Sequence, residues 1–244
     1  MNYKAILQYE GTRYRGWQTQ GNTENTIQGK LEALLTKMAG EPVEVNGSGR
    51  TDAGVHAAGQ VISFRCKTKE SPEEICRYMN EYLPEDIAVI SVEEAAPRFH
   101  ARLNAVRKTY VYRIWNAPVR NVFRRRFTTW IQKPLDLDAM EQAAALLCGT
   151  NDYRAFCSLK KFKKSTVRTI EKIEIGKIGQ EIRISYTGDG FLYHMVRILT
   201  GTLVEVGLGL RKPEEMTEIL EGQDREEAGR LMPPEGLTLE SVEY

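Results

Sequence analysis

Metal and redox signatures are missing from this chain. Its four cysteines, Cys66, Cys76, Cys148 and Cys157, form no C-x-x-C pair, and its three histidines, His56, His100 and His194, stand far apart. A zinc site needs His, Cys or carboxylates clustered at ligand spacing, so no metal is expected. The cysteines read as reduced thiols of a cytoplasmic protein. The opening residues MNYKAILQYE lack a basic region followed by an apolar run, so no secretory signal is expected either. The one long apolar stretch, Phe191 to Leu210, is interrupted by His194, Arg197 and Glu205. An arginine in mid-membrane is costly, so the stretch predicts a buried helix rather than a span. Low-complexity segments are absent as well.

Acid is missing where its absence says most. From Arg98 to Arg126 there are nine Lys or Arg residues and no Asp or Glu. From Arg154 to Lys172 seven more basic residues face only Glu171. The balance is restored from Glu214 onward, where ten acids accompany Arg225 and Arg230, leaving a net charge of +1. Segregated charge of this kind suits a surface that meets phosphates, although either run alone also fits solvated strand and loop faces. Phosphate-cradling motifs are absent. Gly47-Ser48-Gly49 opens like a dinucleotide loop, but Asp52 stands at the third glycine's place, and no Gly-Lys-Ser/Thr follows.

What is present is an alternation of strands and helices. Tyr3 to Tyr9 reads as a strand. Thr26 to Met38 carries a helical stripe (Ile27, Leu31, Leu34, Leu35, Met38) that stops at Gly40. Pro42 to Val45 and Gln60 to Cys66 read as strands. Ser71-Pro72-Glu73-Glu74 is a capping box opening a helix that must end before Pro84. Ile87 to Val92 is an apolar strand. The order then repeats: strands at Ala105 to Trp115 and Thr128 to Gln132, a helix from Asp138 to Cys148, and a hairpin of Val167 to Ile175 with Glu181 to Tyr186. Helices follow over Phe191 to Val206 and Pro213 to Glu221, with a closing strand from Leu237 to Val242. Each half fits the split βαβ unit. The expected fold is α+β: two ferredoxin-like βαββαβ halves, 1–103 and 104–244, joined into one large, mostly antiparallel sheet with a central cleft.

The chemistry-bearing residues sit in three places. The loop Gly47–Ala57 (GSGRTDAGVHA) bends freely and presents Arg50 and Asp52. Asp also commonly caps turns, and the loop by itself admits that reading. In the expected 191–206 helix, His194 and Arg197 are three apart on one face, with Gly201 along the same stripe. Arg197 is the one formally charged residue between Phe191 and Val204, and a buried arginine needs a carboxylate partner. Asp52 is the candidate, held ionised and in one orientation as a nucleophile. In the long strand, Lys108-Thr109-Tyr110-Val111-Tyr112-Arg113 interleaves aromatics with bases, which suits base stacking beside a neutralised backbone. Tyr110 and Tyr112 share a face, and alternation does not say which one reaches the cleft.

These motifs, in this order, closely resemble the TruA family of tRNA pseudouridine synthases. The resemblance runs through Tyr9-Glu10-Gly11-Thr12, Gly16-Trp17-Gln18, Thr26 to Glu32, Gly49 to Ala57, Phe99 to Arg102, Lys108-Thr109-Tyr110, Phe191 to Arg197 and Pro233 to Leu237. It implies the pseudouridine synthase fold and an enzyme that isomerises uridine to pseudouridine in the anticodon arm of tRNA. It implies no cofactor, no metal and no membrane, and a cytoplasmic homodimer. By resemblance Asp52 is the nucleophile, Arg50 and Arg197 neighbour it, and Tyr110 stacks on the target base. His56, Arg102, Lys108 and His194 are further expected substrate contacts. Lys160 to Lys164 lies in a segment that varies across the family. Competing readings are an RNA-binding module without chemistry, a pseudouridine synthase acting on another RNA, and a nucleotide-binding enzyme built on the glycine loop.

Overall fold

The computed structural model describes residues 1–162 and 164–244. Those residues form ten strands and five α-helices, with short 3₁₀ turns, and most of the strand pairs are antiparallel. The chain divides into two compact units, Met1–Val106 with Thr238–Tyr244, and Arg107–Leu237.

The first unit follows the order β1 (Asn2–Tyr9), α1 (Ile27–Ala39), β2 (Val45–Gly47), β3 (His56–Arg65), α2 (Pro72–Tyr82), β4 (Ile87–Glu94). Alternation along β1 buries Tyr3, Ala5, Leu7 and Tyr9, so one face of this strand is core and the other is wetter. Antiparallel pairing places β1 between β4 and β3. The far edge of β3 is shared. Its end, Ile62 to Phe64, pairs with β2, and its start, His56 and Ala57, pairs in parallel with the closing strand, β10 (Leu237–Glu243). Thr26 caps α1 by accepting from the Gly29 N–H, and Gly40 ends it in the left-handed conformation. The capping box of Ser71 and Glu74 opens α2 as the sequence predicts.

The second unit runs β5 (Arg107–Asn116), β6 (Thr129–Ile131), α3 (Leu137–Leu146), β7 (Gly149–Asp152), β8 (Val167–Ile178), β9 (Glu181–Gly188), α4 (Met195–Gly207), α5 (Glu215–Gly222). The strand order is β6-β5-β9-β8-β7, with β6 parallel to β5. The hairpin β8–β9 turns at Gly179, whose φ of 60° suits a residue without Cβ. Helix α4 is enclosed on nearly every side, and only Glu205 within it is more than slightly exposed. No helix among the described residues is long and apolar enough to cross a membrane.

Three differences from the sequence reading have physical causes. The strand expected from Gln60 begins at His56, because β1 and β10 supply backbone partners for the small residues ahead of Gln60. The short β7 follows α3 directly, where Gly149 at φ 107° turns the chain into pairing with β8. The helix expected from Phe191 begins only at Met195, because His194 sits in the left-handed region at φ 66°. His194 and Arg197 therefore do not share a helical face by i,i+3 spacing. The contact division also differs from the expected halves 1–103 and 104–244, since Thr238–Tyr244 group with the first unit through their pairing with β3.

Ser71→Ala removes the acceptor at the Glu74 N–H and should lower unfolding stability by about 1 kcal/mol. Urea denaturation checks this, with a reduced midpoint and an unchanged m-value as the expected outcome.

Candidate active site

The loop between β2 and β3 is fixed by a buried polar hub. Gln60 is fully buried in β3. Its Oε1 accepts from the Ser48 hydroxyl at 2.6 Å, and its Nε2 donates to the Gly49 carbonyl at 3.0 Å and the Tyr9 hydroxyl at 3.4 Å. Tyr9 in turn meets Thr51 Oγ1 at 2.8 Å. The Thr51 carbonyl accepts from the Trp17 N–H at 3.0 Å. Ser48, Gly49 and Thr51 are thereby held in one register, and Asp52 follows immediately. Beyond it the Val55 N–H closes a four-residue turn on the Asp52 carbonyl at 3.1 Å. Gly54 occupies the third place of that turn at φ 80°, as a type II turn demands. Gly47 is a glycine for a different reason: a Cβ there would lie 2.5 Å from the Trp17 indole.

Held in this way, Asp52 is half-buried and Arg50 is exposed. His56, expected at the substrate, lies only 2% exposed, and its Nδ1 accepts from the Gly11 N–H at 3.0 Å. That bond ties the end of the loop to the turn after β1. Arg102 is exposed in the segment that follows β4.

In the second unit, β5 carries Lys108, Tyr110 and Tyr112. Tyr112 is fully buried, and its hydroxyl meets Thr129 Oγ1 at 2.6 Å and donates to the Pro233 carbonyl at 2.7 Å. Burial pushes its hydroxyl pKa well up. Tyr110, 8% exposed, packs edge-on to Phe191 with ring centres 5.3 Å apart. Of the two tyrosines left open by alternation, Tyr112 is thus committed to the core. Lys108 is half-buried.

Arg197 projects from the first turn of α4 and is 8% exposed. Its Nε donates to the Met232 carbonyl at 2.7 Å, and the Met232 N–H returns a bond to the Arg197 carbonyl at 3.3 Å. The segment carrying Met232 is laced to α4: the Gly229 N–H reaches Thr202 Oγ1 at 2.9 Å and the Arg230 N–H reaches Glu205 Oε1 at 3.1 Å. Gly201 faces the same segment, where a Cβ would lie 1.9 Å from the Arg230 carbonyl. His194 precedes the helix; its ring stacks on Tyr193 and its Nδ1 lies 2.8 Å from Ser158 Oγ.

Some bases of the acid-poor runs are used internally. Arg124 and Arg183 both bind the buried Glu181, and Arg107 binds Glu171 at 2.7 Å. Burial opposes the charge on Glu181, yet the two guanidiniums hold its pKa below the usual carboxylate value. Lys160, Lys161 and Lys164 are exposed, while Lys163 lies outside the described residues. Among the described residues no group of three or more His, Cys, Asp or Glu could hold a metal ion.

A family model described as tRNA pseudouridine synthase matches residues 5–104 and 143–244, spans that include Asp52, Gln60 and Arg197. The chain belongs to the tRNA pseudouridine synthase family. Tyr110 and Lys108 fall between the matched spans, but curated relatives cover that stretch too. "tRNA pseudouridine synthase A" of Bacillus sp. (strain KSM-64) is 47% identical over 100% of this chain and 99% of its own length. The protein of the same name from Brevibacillus brevis is 46% identical over 99% and 98%. "tRNA pseudouridine synthase A 2" of Bacillus anthracis is 43% identical over 100% and 99%.

Sequence reasoning named the residues that point out of the synthase loop and missed those that hold it. Gln60 carried a readable signal, a long polar side chain between Ala57-Ala58-Gly59 and Val61-Ile62, as did Ser48 between two glycines. Tyr9 had none beyond its place in a strand.

Gln60→Leu removes the bonds to the Gly49 carbonyl, the Ser48 hydroxyl and the Tyr9 hydroxyl, and should cost about 1–3 kcal/mol of stability in chemical denaturation. Tyr9 is buried, which pushes its pKa up to about 12 from 10. A raised pKa means the folded state keeps a proton the unfolded chain loses, so this contribution is intact below pH 10 and is lost as pH rises to 12. Stability should therefore fall by about 2–3 kcal/mol more in the parent than in Tyr9→Phe across that window, measured as the difference in their pH profiles.

Proposed function

We propose that this protein isomerises uridine to pseudouridine in tRNA, with Asp52 as the nucleophile and the anticodon arm as the region it modifies. The observation that carries the assignment of Asp52 is its loop: a half-buried carboxylate at the end of a hydrogen-bonded frame, in a chain of the synthase family. The reaction breaks the N1–C1′ bond, turns the uracil and joins C5 to C1′. The C5 proton is lost and N1 gains one, so the net change is zero and no oxidant, reductant or carrier is required. Asp52 could open the sequence at C1′, at C6 or by assisting a glycal, and each route needs a carboxylate oxygen held in one place.

A paired or stacked uridine must first be extruded, at a cost of a few kcal/mol. Phosphate contacts offset that cost. We assign Arg50 and Arg197 as neighbours of Asp52, with Arg197 as its ion-pair partner. The bonds between Arg197 and Met232 support this reading, because they remove freedom from a long side chain before any partner meets it. Tyr110 is assigned to stack on the target base and to receive the C5 proton. Lys108, Arg102 and His194 are assigned to RNA contacts, and His56 to bracing the loop from inside. We further assign the protein to the cytoplasm, as a homodimer acting without metal or cofactor.

Asp52→Asn should lower pseudouridine formation on unmodified tRNA by on the order of 10³-fold or more. Its tRNA affinity should stay within about twofold, since phosphate contacts dominate binding. Chemical mapping of pseudouridine beside a binding titration reads both. Full turnover by this variant would overturn the nucleophile; tRNA binding with no product from the parent protein would favour a binding module.

A further inference from the structure

We propose that the first unit carries a separate subsite for an RNA backbone phosphate, in a recess of about 430 Å³ whose lining includes Glu44, Asn46, Arg65, Arg98, Phe99 and His100. The inference rests on the reading of tRNA as substrate. Its floor is the sheet: Asn46 of β2 lies opposite Ser63 of β3, and Arg65 lies two residues further along β3. Its wall is the segment after β4, which is strapped down onto the sheet. Asn2 Nδ2 donates to the carbonyls of Ala96 and Phe99 at 2.8 and 3.0 Å, the Ala101 N–H donates to Ser63 Oγ at 3.0 Å, and Arg65 Nη2 donates to the Pro97 carbonyl at 3.0 Å.

The strap fixes a set of donors around the hollow. Arg65 spends one N–H on Pro97 out of the five a guanidinium offers. Neither Arg65 nor Arg98 forms an ion pair with any described residue, and both are exposed. The Nδ1 of His100 accepts from the Arg102 N–H at 3.1 Å, so a neutral ring carries its proton on Nε2 and can donate. Two guanidiniums and an imidazole N–H suit an anion with several oxygens, and guanidinium geometry matches phosphate in particular. The single carboxylate in the lining, Glu44, is exposed, so solvent weakens its repulsion of an anion. β2 runs from the recess directly into the loop of Asp52, with Asn46 six residues before the nucleophile. A site anchored by hydrogen-bonded backbone loses little freedom on binding, which favours contact over a merely attractive field.

The test is equilibrium binding of an unmodified tRNA transcript by fluorescence anisotropy, between about 50 and 200 mM salt. The parent is compared with Arg98→Ala and Arg65→Gln, the latter keeping a donor for Pro97. Arg77→Ala on α2 serves as the control. Each recess variant should weaken binding roughly three- to tenfold at low salt and reduce the slope of log affinity against log salt by about 0.9, the value for one lost phosphate contact. Arg77→Ala should change neither. Recess variants that keep the parent affinity and slope overturn the proposal, as does weakening that is equal at every salt concentration. Pseudouridine formation is scored in parallel. A parent protein that binds tRNA with these slopes yet forms no product loses the functional reading and keeps the subsite. A parent that does not bind tRNA loses both.

Discussion

The first unit of this molecule depends on one buried amide. Gln60 joins three groups in the interior: the Ser48 hydroxyl, the Gly49 carbonyl and the Tyr9 hydroxyl. An amide suits this junction because it accepts through oxygen and donates through two N–H groups in one plane. A carboxylate would lack the donors, and an aliphatic side chain would lack both kinds of bond. A loop rich in glycine would wander without such a junction, since glycine loses the most conformational freedom on ordering. The permissive backbone and the rigid frame are thus complementary: one allows the close approach of Trp17 and the sharp turn at Gly54, the other selects a single path through them.

The second unit solves the same problem with a helix. Arg197 leaves the start of α4, where the preceding backbone is bent by His194 in the left-handed region. Placing a guanidinium in a nearly enclosed position is costly unless its donors are matched. The Met232 carbonyl supplies one match, and the absence of a side chain at Gly201 lets the segment from Gly229 to Met232 lie close enough to do so. Small residues in α4 are therefore as much a part of the arginine's setting as the arginine itself.

How far the sequence could be read differed from element to element. Elements with a local code were legible: the capping box at Ser71, the stripe and glycine stop of α1, the hairpin around Gly179 and the alternating strands. Asp52, Arg50, Arg197 and Tyr110 stood out because charge or aromatics broke a pattern. What could not be read was set at a distance. His194 looked helical because Phe191 to Met195 are apolar and uninterrupted by Gly or Pro, while its left-handed torsion is fixed by tertiary contacts that include Ser158. The start of β3 is decided by β1 and β10, remote in the chain. His56 was expected among the substrate contacts, and its burial and its bond from the Gly11 N–H could not be read from its neighbours. No window of neighbouring residues contains either partner.

The parallel pairing of Thr238 and Leu239 with His56 and Ala57 joins positions far apart in the sequence. Non-local pairings of this kind form late, because the intervening chain must be closed into a loop first. During synthesis on the ribosome, the start of β3, which receives the chain from the Asp52 turn, waits for β10 before that part of its edge is covered. The half of the molecule made first is thus matured last. Until residues 238 and 239 have been made, the far end of the Asp52 loop lacks its β10 partner.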